Sequence, residues 1–221
     1  PTVDALLLIT PPNARRELIS LFAGQQKHIL TEKPLERTSG AAMEIVDLCA
    51  ASDVSLGVVF QHRFRAASEA LTKLMGGGGL GPIRMVRADI PWWRDQSYYD
   101  EPGRGSYARD GGGVLISQAI HTLDLMLSMT GPATAVQAIC ATTPFHAMAA
   151  EDFTAGAIEF ENGAVGSIFA SSATFPGDAE SLAFYCLPCS RRCRSTSWRL
   201  RRSCSCRAAS WTVRPESPCA L

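Results

Sequence analysis

Three apolar runs alternate with two helical stripes in the first 61 residues, and few folds accept that order. Val3–Thr10 (V-D-A-L-L-L-I-T) is almost wholly apolar, as in a strand buried on both faces. Pro11-Pro12-Asn13 breaks it, and a helix over Ala14–Gln26 follows, with Leu18, Ile19 and Phe22 as its stripe. A short strand over Lys27–Thr31 ends at Glu32-Lys33-Pro34. Thr38 or Ser39 caps a second helix, which reaches Ala51 with Met43, Val46 and Leu48 predicted inward. Ser55–Gln61 is a third strand. Strands joined by helices of this length form a parallel sheet with crossover helices. Ligands of such open sheets bind at the carboxyl ends of the strands, which places Thr10-Pro11-Pro12 and Glu32-Lys33-Pro34 on one ligand edge.

Beyond Gln61 the pattern changes. A helix over Ala66–Met75 leads into Gly76–Gly81, which matches G-x-G-x-x-G at Gly76, Gly78 and Gly81. The match follows a helix and precedes a strand, the reverse of a dinucleotide turn, so it reads as a helix stop. Ile83–Trp92 is a strand, and Trp93–Asp110 is a long loop rich in aromatic and charged residues. Ala135–Thr142, Asp152–Phe160, Ala164–Ser171 and Ser181–Tyr185 are strands without helices between them, with Glu161-Asn162-Gly163 as a hairpin turn. Such a run implies an antiparallel sheet. The expected fold is thus α/β followed by α+β, divided near Gln61.

Gly111–Gly131 joins the two patterns to chemistry. Three glycines open a helix whose stripe is predicted on Leu115, Leu123, Met126 and Leu127. Ser117, His121 and Asp124 fall on one face of it at i, i+4 and i+7. A histidine and a carboxylate there suit proton transfer to a small ligand; the same pair also fits a core histidine held by an aspartate. His62 follows the third strand and reads as structural or cleft-facing, while His28 and His146 read as surface residues.

The formal net charge of zero hides a division. Residues 1–186 carry a formal −7, and residues 187–221 carry +7 from eight arginines and Glu216, with no lysine. Cys49 and Cys140 are scattered in the body as structural thiols, whereas Cys186, Cys189, Cys193, Cys204, Cys206 and Cys219 crowd the end. Residues 187–221 show no sustained period, and residues 186–221 are expected to be an out-of-frame reading of a GC-rich gene; a zinc or redox site starting from Cys186-x2-Cys189 and a basic nucleic-acid arm are the alternatives. No apolar run approaches the roughly 20 residues of a membrane span, and no secretory leader is visible, so a cytoplasmic protein without membrane or nucleic-acid partners is expected.

Three motifs in order, T-P-P-N at Thr10–Asn13, E-K-P at Glu32–Pro34 and G-G-G-V-L-I-S-Q-A-I-H-T-L-D at Gly111–Asp124, resemble the glucose–fructose oxidoreductase / inositol dehydrogenase (Gfo/Idh/MocA) family. Q-H-R-F at Gln61–Phe64 and L-G-P-I-R at Leu80–Arg84 support it, and the resemblance spans Val3 to Tyr185. It implies that residues 1–61 are the second half of a doubly wound Rossmann domain, and residues 62–185 a substrate domain built on an open antiparallel sheet. The family's first strand, glycine turn and ribose-binding acid would then lie before Pro1, so the chain by itself is expected to be an inactive fragment that does not bind the cofactor usefully.

The resemblance also implies NAD or NADP as cofactor, a sugar or polyol as substrate, and a homo-oligomer at full length. Lys33 matches the family's active-site lysine, and the Lys33-Pro34 bond is then expected to be cis. His121 matches the general base, and Asp124 orients the site or binds substrate. Thr10, Pro11, Asn13 and Glu32 border the nicotinamide with Lys33. Ser117, expected to turn its hydroxyl to the pocket as a substrate-binding residue, stands where many members carry Asp or Asn. Trp93, Arg94 and Tyr98 fit a sugar pocket, loop packing or a subunit interface, with Trp92 and Tyr99 beside them. The reaction implied is hydride transfer between a hydroxyl and nicotinamide. An NAD-dependent glycosidase of the same family and a sugar-binding protein without activity remain alternatives.

Overall fold

The computed structural model describes residues 3–77, 80–187, 196–205 and 208–215. The first 60 residues form a three-stranded parallel sheet of β1 (Ala5–Leu8), β2 (His28–Glu32) and β3 (Leu56–Val59), in that order. Crossovers run through α1 (Arg15–Ala23) and α2 (Ser39–Ala51). Thr38 caps α2, its hydroxyl accepting from the Ala41 N–H at 3.3 Å.

Both crossovers step the same way across the sheet, and crossovers share a right hand, so both helices fall on one face. Ile19, Ala23, Ile45 and Cys49 pack there on Leu8, Ile29 and Val54. The other face is bare: Leu7, Ile9 and Leu30 are exposed, against the expectation of a strand covered on both sides. The stripe of α2 is also corrected. Ile45 and Cys49 point inward with Leu48 beside them, while Met43 and Val46 lie outside that arc and are exposed.

The second sheet has seven strands among the described residues, in the order β10-β9-β8-β4-β7-β6-β5. These are β4 (Ile83–Pro91), β5 (Ala133–Ala141), β6 (Phe153–Phe160), β7 (Val165–Ser171), β8 (Ser181–Cys186), β9 (Thr196–Ser205) and β10 (Ala208–Pro215). Every pairing is antiparallel except β4 with β7. The turn after β6 closes with Phe160 and Ala164 paired, and the Asn162 side chain accepts from the Ala164 N–H at 2.9 Å. Strands β9 and β10 differ from the expectation of an aperiodic tail: they pair with each other, and β9 pairs with β8. Cys189, Cys193, Cys206 and Cys219, and the glycines at 78 and 79, lie outside the described residues.

A helix α3 (Ala66–Gly76) and a helix α5 (Ile120–Thr130) cover one face of this sheet; the short α4 (Gln96–Tyr99) lies in the aromatic loop between them. Leu71, Val114, Leu125 and Met126 meet Val86, Ala88, Ile90, Leu182 and Phe184 in its core. A π-helical turn over Leu115–Ala119 precedes α5. Its wide turn adds a residue to the count and shifts the phase of everything after it. Leu125 is therefore buried, whereas Leu127, predicted inward, is exposed.

Candidate active site

The site lies where the ends of β1 and β2 face the start of the π-turn and α5. At the first edge, Arg15 is buried and its guanidinium donates to three backbone carbonyls. Nε and Nη2 reach the Thr10 carbonyl at 2.9 and 2.6 Å, and Nη1 reaches the carbonyls of Glu32 and Pro34. One side chain thus ties the T-P-P turn to the E-K-P turn. Burial lowers the Arg15 pKa, opposed by the charges of Glu32 and Glu36. The Lys33-Pro34 bond is cis, as the resemblance implied. Thr10 Oγ1 is buried without a hydrogen-bond partner among the described residues, and Pro11 and Asn13 are exposed beside it.

At the second edge, two glycines let backbone meet backbone. Gly111 takes φ 86°, and a Cβ there would sit 2.7 Å from the Arg37 Cα. Gly113 lies against Glu151, whose carbonyl accepts from the Val114 N–H at 2.8 Å. The Glu151 carboxylate accepts from the N–H groups of Gly113 at 3.0 Å and Leu115 at 3.2 Å, so an acid 38 residues away from Gly113 satisfies the opening of the helix.

Lys33 crosses between the edges. Its Nζ donates to the Ser117 carbonyl at 2.6 Å, within the π-turn. Burial lowers its pKa; Arg15 adds to this, while Glu32 and Asp110 oppose it. The Ser117 hydroxyl turns back into its own helix, within donating reach of the Gly113 carbonyl and the Gln118 side-chain oxygen. Ser117 therefore offers the site a backbone carbonyl.

His121 is 6% exposed, with Nδ1 lacking a hydrogen-bond partner among the described residues. Burial, then the charges of Lys33 and Arg65, push its imidazole down to about 4. It is thus neutral at pH 7 by a wide margin, where the sequence alone suggested titration near neutrality. Its ring stacks on that of His62 at 4.9 Å between centroids, and Phe60 meets it edge-on at 6.4 Å. His62, read from sequence as structural or cleft-facing, is buried against the site histidine. Asp124 binds Arg63 through two hydrogen bonds of 2.6 Å.

The depressed imidazole predicts an acid-sensitive fold. Its folded value of about 4 lies below the unfolded value near 6.5. Between those values the unfolded chain binds a proton that the folded chain refuses, so stability is full above pH 6.5 and falls toward pH 4. Allowing for screening at the cleft, His121 accounts for about 1 kcal/mol of the loss between pH 7 and pH 5. Urea midpoints at the two pH values measure it. His121→Asn should narrow the gap, and an unchanged gap would sink the assignment.

The aromatic loop gathers elsewhere, around His146. Trp93 packs on Phe145, His146 and Phe175, and the Arg94 guanidinium lies over Trp92 and Tyr98. Tyr99 is buried, its hydroxyl 2.6 Å from Ser172 Oγ. His146 was expected at the surface, but it is buried. Its Nδ1 lies 2.8 Å from Asp152 Oδ2 and its Nε2 lies 2.8 Å from the Arg94 carbonyl. Both ring nitrogens are used, so this pair braces the loop. The hydrogen bonds and ring contacts of Trp93, Arg94 and Tyr98 thus run within this loop, to its His146 brace and to Ser172 and Phe175.

Sequence reasoning did not find Arg15, Glu151 or Glu180. Their partners lie 5 to 118 positions away, and no local spacing announces them. No group of three His, Cys, Asp or Glu side chains among the described residues could hold a metal ion.

Comparison with known proteins places this geometry in context. Residues 68–187 match the GFO/IDH/MocA C-terminal domain, and residues 1–60 match an oxidoreductase family with an NAD-binding Rossmann fold. The WlbA dehydrogenase of Bordetella pertussis, solved with NADH and UDP-GlcNAcA, is 29% identical with a TM-score of 0.83; the match covers 98% of this chain and 60% of that one. An uncharacterised protein of Sinorhizobium fredii is 28% identical over 175 residues, 79% of this chain and 48% of that protein. The myo-inositol 2-dehydrogenase of Thermotoga maritima is 28% identical over 131 residues, 59% of this chain and 37% of the enzyme. The chain thus spans about half or less of the length of these curated relatives.

Proposed function

Because the chain belongs to the Gfo/Idh/MocA family of NAD-binding oxidoreductases, we propose that it carries the reacting groups of an NAD(P)-dependent sugar or polyol dehydrogenase. Residues 1–61 then form the cofactor side and residues 62–185 the substrate side. The observation that carries this reading is the reach of Lys33 from the end of β2 to the Ser117 carbonyl, one turn from His121.

The residues present fit a nicotinamide cofactor. Thr10 Oγ1 is a buried polar atom without a hydrogen-bond partner among the described residues, just past the carboxyl end of a parallel strand, and Arg15 holds the two neighbouring turns in place. Thr10, Pro11, Asn13, Glu32 and Lys33 would hold the nicotinamide side, and the bound cofactor supplies a hydride acceptor. Lys33 Nζ donates to the reacting hydroxyl and favours its alkoxide. The neutral imidazole of His121 takes the hydroxyl proton. Asp124 acts as a pair with Arg63, which together orient the substrate rim. Trp93, Arg94 and Tyr98 belong to the substrate side as a braced aromatic wall.

Other features fit the same reading. No helix among the described residues is long and apolar enough to cross a membrane, and we place the enzyme in the cytoplasm, without nucleic-acid partners. Exposed Leu7, Ile9, Leu30, Val136 and Ile139 suit a homo-oligomer.

The test is cofactor reduction by a chain extending over the full length of the relatives. Free sugars, cyclitols and a nucleotide-linked sugar acid are supplied with NAD or NADP; the last is included because WlbA was solved with UDP-GlcNAcA. Net reduced cofactor is expected with one of them. Release of an aglycone without it would favour the glycosidase, and binding without either reaction would favour a sugar-binding protein.

A further inference from the structure

Behind His121 lies a charged cluster that the reaction above leaves unused. Glu180, in the segment leading into β8, is fully buried. One carboxylate oxygen lies 3.6 Å from His62 Nε2 and 3.8 Å from Arg65 Nη1, and the other accepts from the Thr122 hydroxyl at 3.3 Å. It therefore touches three pieces of the site's rear wall: the turn Gln61–Phe64, the residue capping α3, and α5 itself. Thr122 follows His121 in the chain, and the His62 ring held at Glu180 is the ring stacked on His121. A buried carboxylate is costly unless it is paired, so its presence here calls for a reason.

Charge supplies one. Lys33 faces His121 from the end of β2, with Glu32 and Asp110 bearing on that lysine. Arg65 faces it from the start of α3, His62 lies over the ring, and Asp124 one turn on is paired with Arg63. Two cations therefore already bear on the imidazole before it takes a proton, and protonation adds a third positive charge in a buried place. Without a negative group behind them, that step would be strongly opposed.

We propose that Glu180 is the counter-charge of this site, a positioning residue that fixes the His121 ring through His62 and Thr122 and offsets, through Arg65, the positive charge gathered when His121 takes the substrate proton. The proposal rests on the reading of His121 as the base. Glu180 meets neither substrate nor cofactor; it acts through its three neighbours.

Glu180→Gln keeps the shape and the Thr122 contact and removes the charge. The sequence holds four histidines, so ring signals in an NMR titration of the chain are separable. The His121 titration should move down by about one pH unit in Glu180→Gln and up by about as much in Arg65→Met. In the active enzyme, Glu180→Gln should lower kcat about tenfold with KM nearly unchanged, and the acid limb of the pH profile should move in the same direction as the titration. A loss of rate with an unmoved limb and titration would make Glu180 merely structural and overturn the proposal. If Glu180→Gln fails to fold, Arg65→Met decides: an unmoved His121 titration there overturns it as well. Failure of the underlying reading looks different, because His121→Ala would then keep its turnover whatever Glu180→Gln does.

Discussion

Replacing His121 with alanine should lower kcat by roughly 10²- to 10⁴-fold, the usual worth of a positioned general base. Cofactor affinity should stay nearly unchanged, since the contacts assigned to the cofactor come from Thr10, Pro11, Asn13, Glu32 and Lys33. The acid limb expected from an imidazole near 4 should vanish in the variant. Lys33→Ala makes the contrast. Its ammonium acts on the bound hydroxyl and on the alkoxide, so both KM and kcat should suffer. Steady-state kinetics with the substrate found in the reduction assay separate the two patterns. Near-normal turnover in His121→Ala, with an unchanged pH profile, would leave His121 as a core histidine.

The second large effect falls on stability. A Cβ at Gly113 would sit 1.7 Å from the Glu151 carbonyl oxygen and 2.6 Å from its carbon. Both are backbone atoms, and the same carbonyl is engaged by the Val114 N–H, so neither side can yield cheaply. Gly113→Ala should cost about 3 kcal/mol or more, at or beyond the usual range for overpacking. Gly40 gives the control. It lies in the first turn of α2, and a methyl group added there would meet nothing within 4 Å. Gly40→Ala should therefore be neutral or stabilising by up to about 1 kcal/mol. Denaturant midpoints of the two variants measure the difference. Similar midpoints would mean that the helix opening is looser than the close approach requires.

Much of the frame was legible because its causes are local. Periodicity and breakers located β1 to β3, α1 and α2, and narrowed the cap of α2 to Thr38 or Ser39, of which Thr38 fills it. The turn at Glu161–Gly163 followed from its residues, and Lys33 and His121 were singled out by their motifs. What stayed hidden depends on distant partners. His146 reads as a surface histidine until Asp152 and the Arg94 carbonyl close on it. Ser117 reads as a pocket hydroxyl, but the π-turn bends that hydroxyl into the helix and turns the residue's carbonyl toward Lys33. The same turn misled the stripe of α5, because a 3.6-residue count cannot register one wide turn. The bare face of the first sheet was missed for another reason: an apolar strand records what it could bury, and the direction of the crossovers decides what covers it.

The guanidinium of Arg15 has a consequence for ligand entry. Because one planar group holds the Thr10, Glu32 and Pro34 carbonyls together, the two turns cannot wander separately; a displacement of one is felt by the other. The lip that the proposed reading assigns to the nicotinamide is therefore preorganised. Its disorder is removed during folding, and little conformational entropy is left for the incoming ring to quench.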